Sequence, residues 1–205
     1  MKLIVKNIVL VGVFNPSIFD RYSFINRGVL KEDDILPTSL FMNIGSQIIT
    51  NDLNIIINPN QIVITSTAPD NKVDGINNLV IDLITKWEIS NITALGFNFH
   101  WVIDPMIESL EEKSRELFYS ENIKLFSEFF NNPDSTFGVY ASTNYKDSRL
   151  KLDVKPMIEI GNNFANKSLH FIFNFHFEVK NLDLLKCLYE FNEYLSESEN
   201  ISSNY

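Results

Sequence analysis

The sequence predicts an α+β fold: a mainly antiparallel sheet with helices packed on one face. Three observations point there. Short runs alternate apolar and polar residues, stretches of helical hydrophobic spacing bracket groups of those runs, and the order of elements in the first half of the chain recurs in the second. Each half reads as strand, helix, three strands, helix. That suggests two βαβββα repeats related by a pseudo-two-fold axis, residues 1–90 and 91–196, forming one compact domain with a frayed tail over 197–205.

Residues 3–14 are rich in Val, Leu and Ile and end at Asn15-Pro16, where Asn can cap a helix and Pro can take its first position, so a short helix is expected through about residue 26. A polar loop with Lys31-Glu32-Asp33-Asp34 and Pro37 leads to strands near 39–50, 53–58 and 61–67, with Asn51-Asp52 and Asn58-Pro59-Asn60 as turns. Asp74 is placed to cap a helix whose Ile76, Leu79, Val80, Leu83, Ile84 and Trp87 share one face.

The second half opens with a strand over 92–103 that runs into Asp104-Pro105, the same capping chemistry. A long helix over about 105–130 is expected next, with Met106, Ile107, Leu110, Leu117, Phe118, Phe126 and Phe129 mostly on one stripe, and Asn131-Asn132-Pro133-Asp134 stops it. Strands fit 136–145, 149–160 and 168–179, and a last helix runs from Asn181 to about Leu195. This element order is similar to that of the half-repeats of the TATA-binding-protein fold, a likeness of topology that no sequence motif of that family accompanies.

Charge and composition narrow the function. Lys and Arg total 17 against 26 Asp and Glu, a net charge of −9, and only Arg21, Arg27, Arg115 and Arg149 offer guanidinium forks. Affinity for nucleic acid comes largely from Lys and Arg displacing counterions, so the overall field argues against DNA, RNA and anionic lipid as partners. Cys187 stands alone, which excludes an intrachain disulfide and a multi-cysteine zinc site and points to a reducing, cytoplasmic setting. No apolar run reaches the roughly 18 residues of a spanning helix, and the first residues do not read as a signal peptide. Glycines fall in no phosphate-binding fingerprint and no serine sits in a nucleophile elbow, so the sequence implies no cofactor.

The three histidines carry the sharpest chemical suggestion. Strand alternation puts Phe97, Phe99, Trp101 and Ile103 on one face, with Asn98, His100 and Val102 on the other. It likewise separates Phe171, Phe173, Phe175 and Phe177 from His170, Ile172, Asn174, His176 and Glu178. If these strands are neighbours, His100, His176 and Glu178 form a candidate metal or ligand site, and either histidine could serve as general base. The competing reading is a Phe face under helices and a His/Asn face toward solvent or a partner, with Asn98 and Asn174 on that face.

Phe14, Phe19, Tyr22 and Phe24 surround the short first helix, and Phe19, Tyr22 and Phe24 are candidates for a partner-binding surface. The carboxylates Glu108, Glu111, Glu112 and Glu116 read as a solvated helix face, and Glu32, Asp33 and Asp34 as loop solubility. Cys187, between Leu184 and Leu188, reads as a packing residue. With no catalytic residues indicated, the expected function is a non-enzymatic interaction subunit, an accessory, adaptor or inhibitor that binds a protein partner or its own copies. The alternative is a small-ligand or metal-binding enzyme using the His-bearing face.

Overall fold

The alternation on the central strands builds the molecule, because it commits one face of each strand to phenylalanine and aliphatic side chains that only a helix layer can cover. The computed structural model describes residues 1–69, 75–104, 109–160, 165–180 and 182–204. The strands are β1 (Lys2–Gly12), β2 (Leu40–Met42), β3 (Gly45–Ile49), β4 (Leu53–Asn58), β5 (Gln61–Ser66), β6 (Ile92–Ile103), β7 (Val139–Tyr145), β8 (Ser148–Ile160) and β9 (Ala165–Glu178). They form one nine-stranded antiparallel sheet in the order β2-β3-β4-β5-β1-β6-β9-β8-β7. The helices are α1 (Arg21–Asn26), α2 (Ile76–Lys86), α3 (Leu110–Phe118), α4 (Lys124–Phe129), α5 (Leu184–Tyr189) and α6 (Phe191–Ser203). The α+β class, the antiparallel sheet and the strands over 53–58 and 92–103 agree with the sequence reading.

At the centre β1 pairs with β6, and outward from that pair the order runs β1-β5-β4-β3 on one side and β6-β9-β8-β7 on the other. On the helix-covered face, Ile8 and Leu10 of β1, Phe97 and Phe99 of β6 and Phe171, Phe173, Phe175 and Phe177 of β9 are fully buried. α6 seals the second half. Phe191 meets the edge of Phe97 at 5.0 Å, Tyr194 packs on Phe175 and Phe177 at 5.1 and 5.3 Å, and Trp101 Nε1 donates to Ser198 Oγ at 2.9 Å. α2 covers the first half through Ile76, Leu79, Val80, Leu83 and Ile84. Its first residue follows Gly75, whose φ of 66° suits a residue without Cβ. No helix among the described residues is long and apolar enough to cross a membrane.

Several expectations need correction. The strand placed over 39–50 is a hairpin, β2 and β3, turning at Asn43-Ile44. The Asn15-Pro16 signal starts only a 3-10 turn, Pro16–Ile18, and Asp20 then caps α1 by accepting from Ser23 N at 2.7 Å. The long helix of 105–130 is two helices: a Ser109/Glu112 capping box opens α3, and Tyr119 leaves helical geometry at ψ 138°. Met106, Ile107 and Glu108, with the Pro105 start, lie outside the described residues, as do Asp74 and Asn181.

The last helix also bends at Glu190 into α5 and α6, and α6 runs on to Ser203, so residues 197–203 are helical where fraying was expected. The polar run Ser-Glu-Ser-Glu-Asn hides its reason. Small Ser198 and Ser202 are fully buried and bond within the helix, Ser198 Oγ to Leu195 O at 2.7 Å and Ser202 Oγ to Ser198 O at 2.8 Å.

Phe19 and Phe24, taken from sequence as partner-binding candidates, are core residues at 1% and 0% exposure. Phe19 stacks on Trp87 at 5.3 Å and Phe24 tilts onto it at 5.0 Å, with the Arg27 guanidinium over the same indole at 5.0 Å. Phe24 of this six-residue helix and Phe19 just before it are buried because Trp87, which follows α2, supplies the other wall. Only Tyr22 of the three is exposed. Phe24→Ala should therefore lower the unfolding free energy by about 3–5 kcal/mol in urea titration, while Tyr22→Ala should change it by less than about 0.5 kcal/mol.

Candidate functional site

The sheet face opposite the helices is built by the same alternation that buries the phenylalanines. Asn7 of β1 lies opposite Asn98 of β6, Asn98 opposite Asn174 of β9, Asn174 opposite Lys151 of β8 and Lys151 opposite Ser142 of β7. The amides join into a ladder: Asn174 Nδ2 donates to Asn98 Oδ1 at 2.6 Å, and Asn98 Nδ2 donates to Asn7 Oδ1 at 2.7 Å. Asn98 and Asn174, both named from sequence, thus meet on the open face and are half-buried. Each amide fixes its neighbour's orientation, so this strip is ordered without a covering element.

One row along, His100 comes together with His170 rather than with His176. His100 Nε2 is 2.7 Å from His170 Nδ1, and His170 Nε2 is 2.8 Å from Ser168 Oγ. The register explains it, since His100 faces Ile172 and His170 sits on the adjacent diagonal opposite Val102. His176 faces Gly96, four residues further along β9 and roughly 13 Å away at strand spacing. The sequence-level expectation that His100 and His176 would meet is corrected by that register. Among the described residues no group of three or more His, Cys, Asp and Glu is arranged to hold a metal.

A hydroxyl, an imidazole and a second imidazole in hydrogen-bond contact have the parts of a nucleophile-base-orienter chain. Access decides against that use. Ser168 and His170 are each 3% exposed, so the hydroxyl has no open approach. Two proton arrangements satisfy the chain, with His170 donating either to His100 or to Ser168, and both hold the rings in place. Burial, then the neighbouring His170 and Lys155, pull His100 down from 6.5 to about 4.

His176 and Glu178 do lie together. They line a shallow cleft of about 330 Å³ with Asn144, Lys146, Asp147, Ser148 and Arg149, at the end of the sheet where β7 turns into β8. Arg149, opposite His176, donates to Asn144 Oδ1 at 3.0 Å and to Ser142 O at 3.3 Å. Sequence reasoning gave Arg149 only as one of four guanidinium forks and did not group it with Lys151 and Lys155, which share a face with it and with Asp153 at every second position of β8. Among the described side chains, Lys2, Arg149, Lys151 and Lys155 give this part of the open face four cations against Asp153 and Glu178, with Lys155 Nζ donating to Asp153 Oδ2 at 3.0 Å. The period-2 placement is visible in the sequence, beneath a net charge of −9 that says nothing of local patches.

Cys187 is buried, and burial first, then Asp147 and Glu190, push its thiol up to about 11, so it is not a nucleophile at neutral pH. The Phe rows of β6 and β9 face the helices at 0% exposure, so they take no part in the open face.

Because folded His100 titrates near 4 and an unfolded histidine near 6.5, the unfolded chain takes up a proton over that window that the native site refuses. Stability from this group is complete above pH 6.5 and declines as the pH falls toward 4. After allowance for solvent screening the loss should be about 1–2 kcal/mol in urea titrations at pH 7 and pH 4, and His100→Gln should flatten that part of the profile. No protein-family model matches the chain, and no curated protein matches its sequence, so its function is read from this geometry alone.

Proposed function

We propose that the protein is a non-enzymatic interaction subunit that docks an acidic segment of a partner protein on the open face of its sheet. The observation that supports this is the contrast of charge: the chain carries −9 overall, yet among the described side chains Lys2, Arg149, Lys151 and Lys155 share the uncovered face with two acids, Asp153 and Glu178. The acids cluster elsewhere, as Glu111, Glu112 and Glu116 on α3 and Glu193, Glu197 and Glu199 on α6. A local patch of opposite sign selects an acidic partner while the remaining surface repels it, which gives orientation as well as attraction. The Asn7-Asn98-Asn174 ladder beside the patch offers amide donors and acceptors already held in place.

The mirrored strand order outward from β1 and β6 supports a duplicated βαβββα origin for this platform. A cytoplasmic setting fits the lone, buried Cys187. A second reading, a small anionic ligand, is favoured by one observation, the placement of His176 and Arg149 in one cleft.

Carbodiimide coupling of lysine amines to carboxylates, applied to the protein captured with its partner from the native host, tests the proposal. Cross-links should leave from Lys2, Lys151 and Lys155 toward an acidic segment, and Lys151→Glu with Lys155→Glu should weaken capture by roughly tenfold or more. Cross-links confined to Lys86, Lys124 and Lys186, or undiminished capture by the double variant, would sink the reading. Retention of duplex DNA in place of a protein would sink it equally.

A further inference from the structure

We infer that β7 is the pairing edge of a two-fold symmetric homodimer, in which β7 of one copy lies antiparallel to β7 of a second with Ser142 at the axis. The inference stands apart from the proposed function, because it concerns the edge of the sheet and not its open face.

The two edges of the sheet differ. β2 is three residues long, and the turn that follows it is engaged by Ser17 Oγ, which donates to Asn43 O at 3.4 Å. β7, at the other edge, has seven residues, Val-Tyr-Ala-Ser-Thr-Asn-Tyr, and six of them are exposed. It has no charge, no proline and no glycine, and it pairs in unbroken register with β8 from Val139 to Tyr145. Natural edge strands are usually blunted by such devices, because an unpaired row of N–H and C=O groups templates another strand.

The backbone geometry sets the register. A two-residue loop, Lys146-Asp147, joins Tyr145 to Ser148, and such a loop closes on a hydrogen-bonded pair. Alternation then turns the N–H and C=O of Asn144, Ser142 and Tyr140 outward. The Arg149 side chain accordingly finds Ser142 O free to accept at 3.3 Å. An antiparallel partner centred on Ser142 matches Tyr140 with Asn144, Ala141 with Thr143, and Ser142 with itself. Every pair joins uncharged residues, and Tyr140 and Thr143 are good strand formers.

The occupant is a second copy because this strand is self-complementary and neutral in a chain of net charge −9. Self-association elsewhere brings like-charged surfaces together, whereas here no acid opposes an acid. Across the axis Arg149, beside Asn144, faces Tyr140 of the second copy, and Asp153 of that copy lies next in the same row. Arg149 gives up one carbonyl and gains an aromatic ring.

Apolar area adjoins the edge. Phe126 of α4 packs on Phe137 at 5.1 Å, two residues before β7, and Arg115 ties this segment down through Asn132 O at 2.5 Å. Leu125, Phe129 and Phe130 of this region are exposed, Phe129 at 71%. Strand pairing alone is small for a stable interface, and these side chains extend it.

Sedimentation equilibrium of the purified protein should give a dimer at micromolar concentration. Ser142→Lys sets two like charges on the axis and should yield monomer, as should Ser142→Glu, while circular dichroism shows the monomeric fold retained and the unfolding free energy moves by no more than the roughly 0.2–1 kcal/mol of a cross-strand pair with Lys151. An equimolar mixture of the two variants should restore the dimer, since only pairing of residue 142 with itself places Lys opposite Glu. A monomeric wild type at all concentrations up to solubility, a dimer that survives Ser142→Lys, or a mixture that stays monomeric would each overturn the inference.

Discussion

The structure depends on the pairing of β6 with β1 and β9, because that register turns a period-2 sequence pattern into two chemically opposite surfaces. A slip of one residue in either pairing would send Phe97, Phe99, Phe173 and Phe175 into solvent and the asparagines and histidines into the core. Each buried Phe contributes about 1.5–3 kcal/mol relative to exposure, and a polar group buried without a partner costs a similar amount. The register is therefore held from both faces. The amide ladder Asn7-Asn98-Asn174 forms only when the three strands are aligned as they are.

The helix layer follows from that commitment. The aromatic surface of β6 and β9 needs a cover of matching size, and α6 provides it with Phe191, Tyr194 and Leu195 set among the rings. Close approach requires small residues where the helix meets Trp101, and Ser198 and Ser202 meet that need while satisfying their own hydroxyls. The first half solves the same problem differently: α2 lies over β1 and β5, and its terminal Trp87 gathers Phe19 and Phe24. Segregation of charge results as well. With the helices on one face, α3 and α6 carry clusters of acids on their outer surfaces, and the strand face retains the cations of β8.

The open face and the β7 edge are two surfaces with separate physical logic. The face is rigid, polar and locally cationic, which suits selective contact with an acidic segment. The edge offers backbone groups and uncharged side chains, which suits addition of a strand. Because β7 borders β8, the strand that bears Arg149, Lys151 and Lys155, pairing at the edge would bring the cationic parts of two open faces side by side.

The sequence by itself determined the fold class, the antiparallel strands and the division of β6 and β9 into a Phe face and an Asn/His face. Those properties follow from local periodicity, which needs no knowledge of distant residues. It also indicated the burial of Cys187, through its place between Leu184 and Leu188. Tertiary structure decided what stands opposite what. That His100 meets His170 and not His176 is a matter of inter-strand register, set by β-sheet pairing across a long separation in sequence. That Phe19 and Phe24 are core depends on Trp87 arriving from another element, and that 197–203 is helical depends on Trp101 and the sheet beneath α6. Periodicity names the face a side chain takes, and only packing between distant segments names its neighbour.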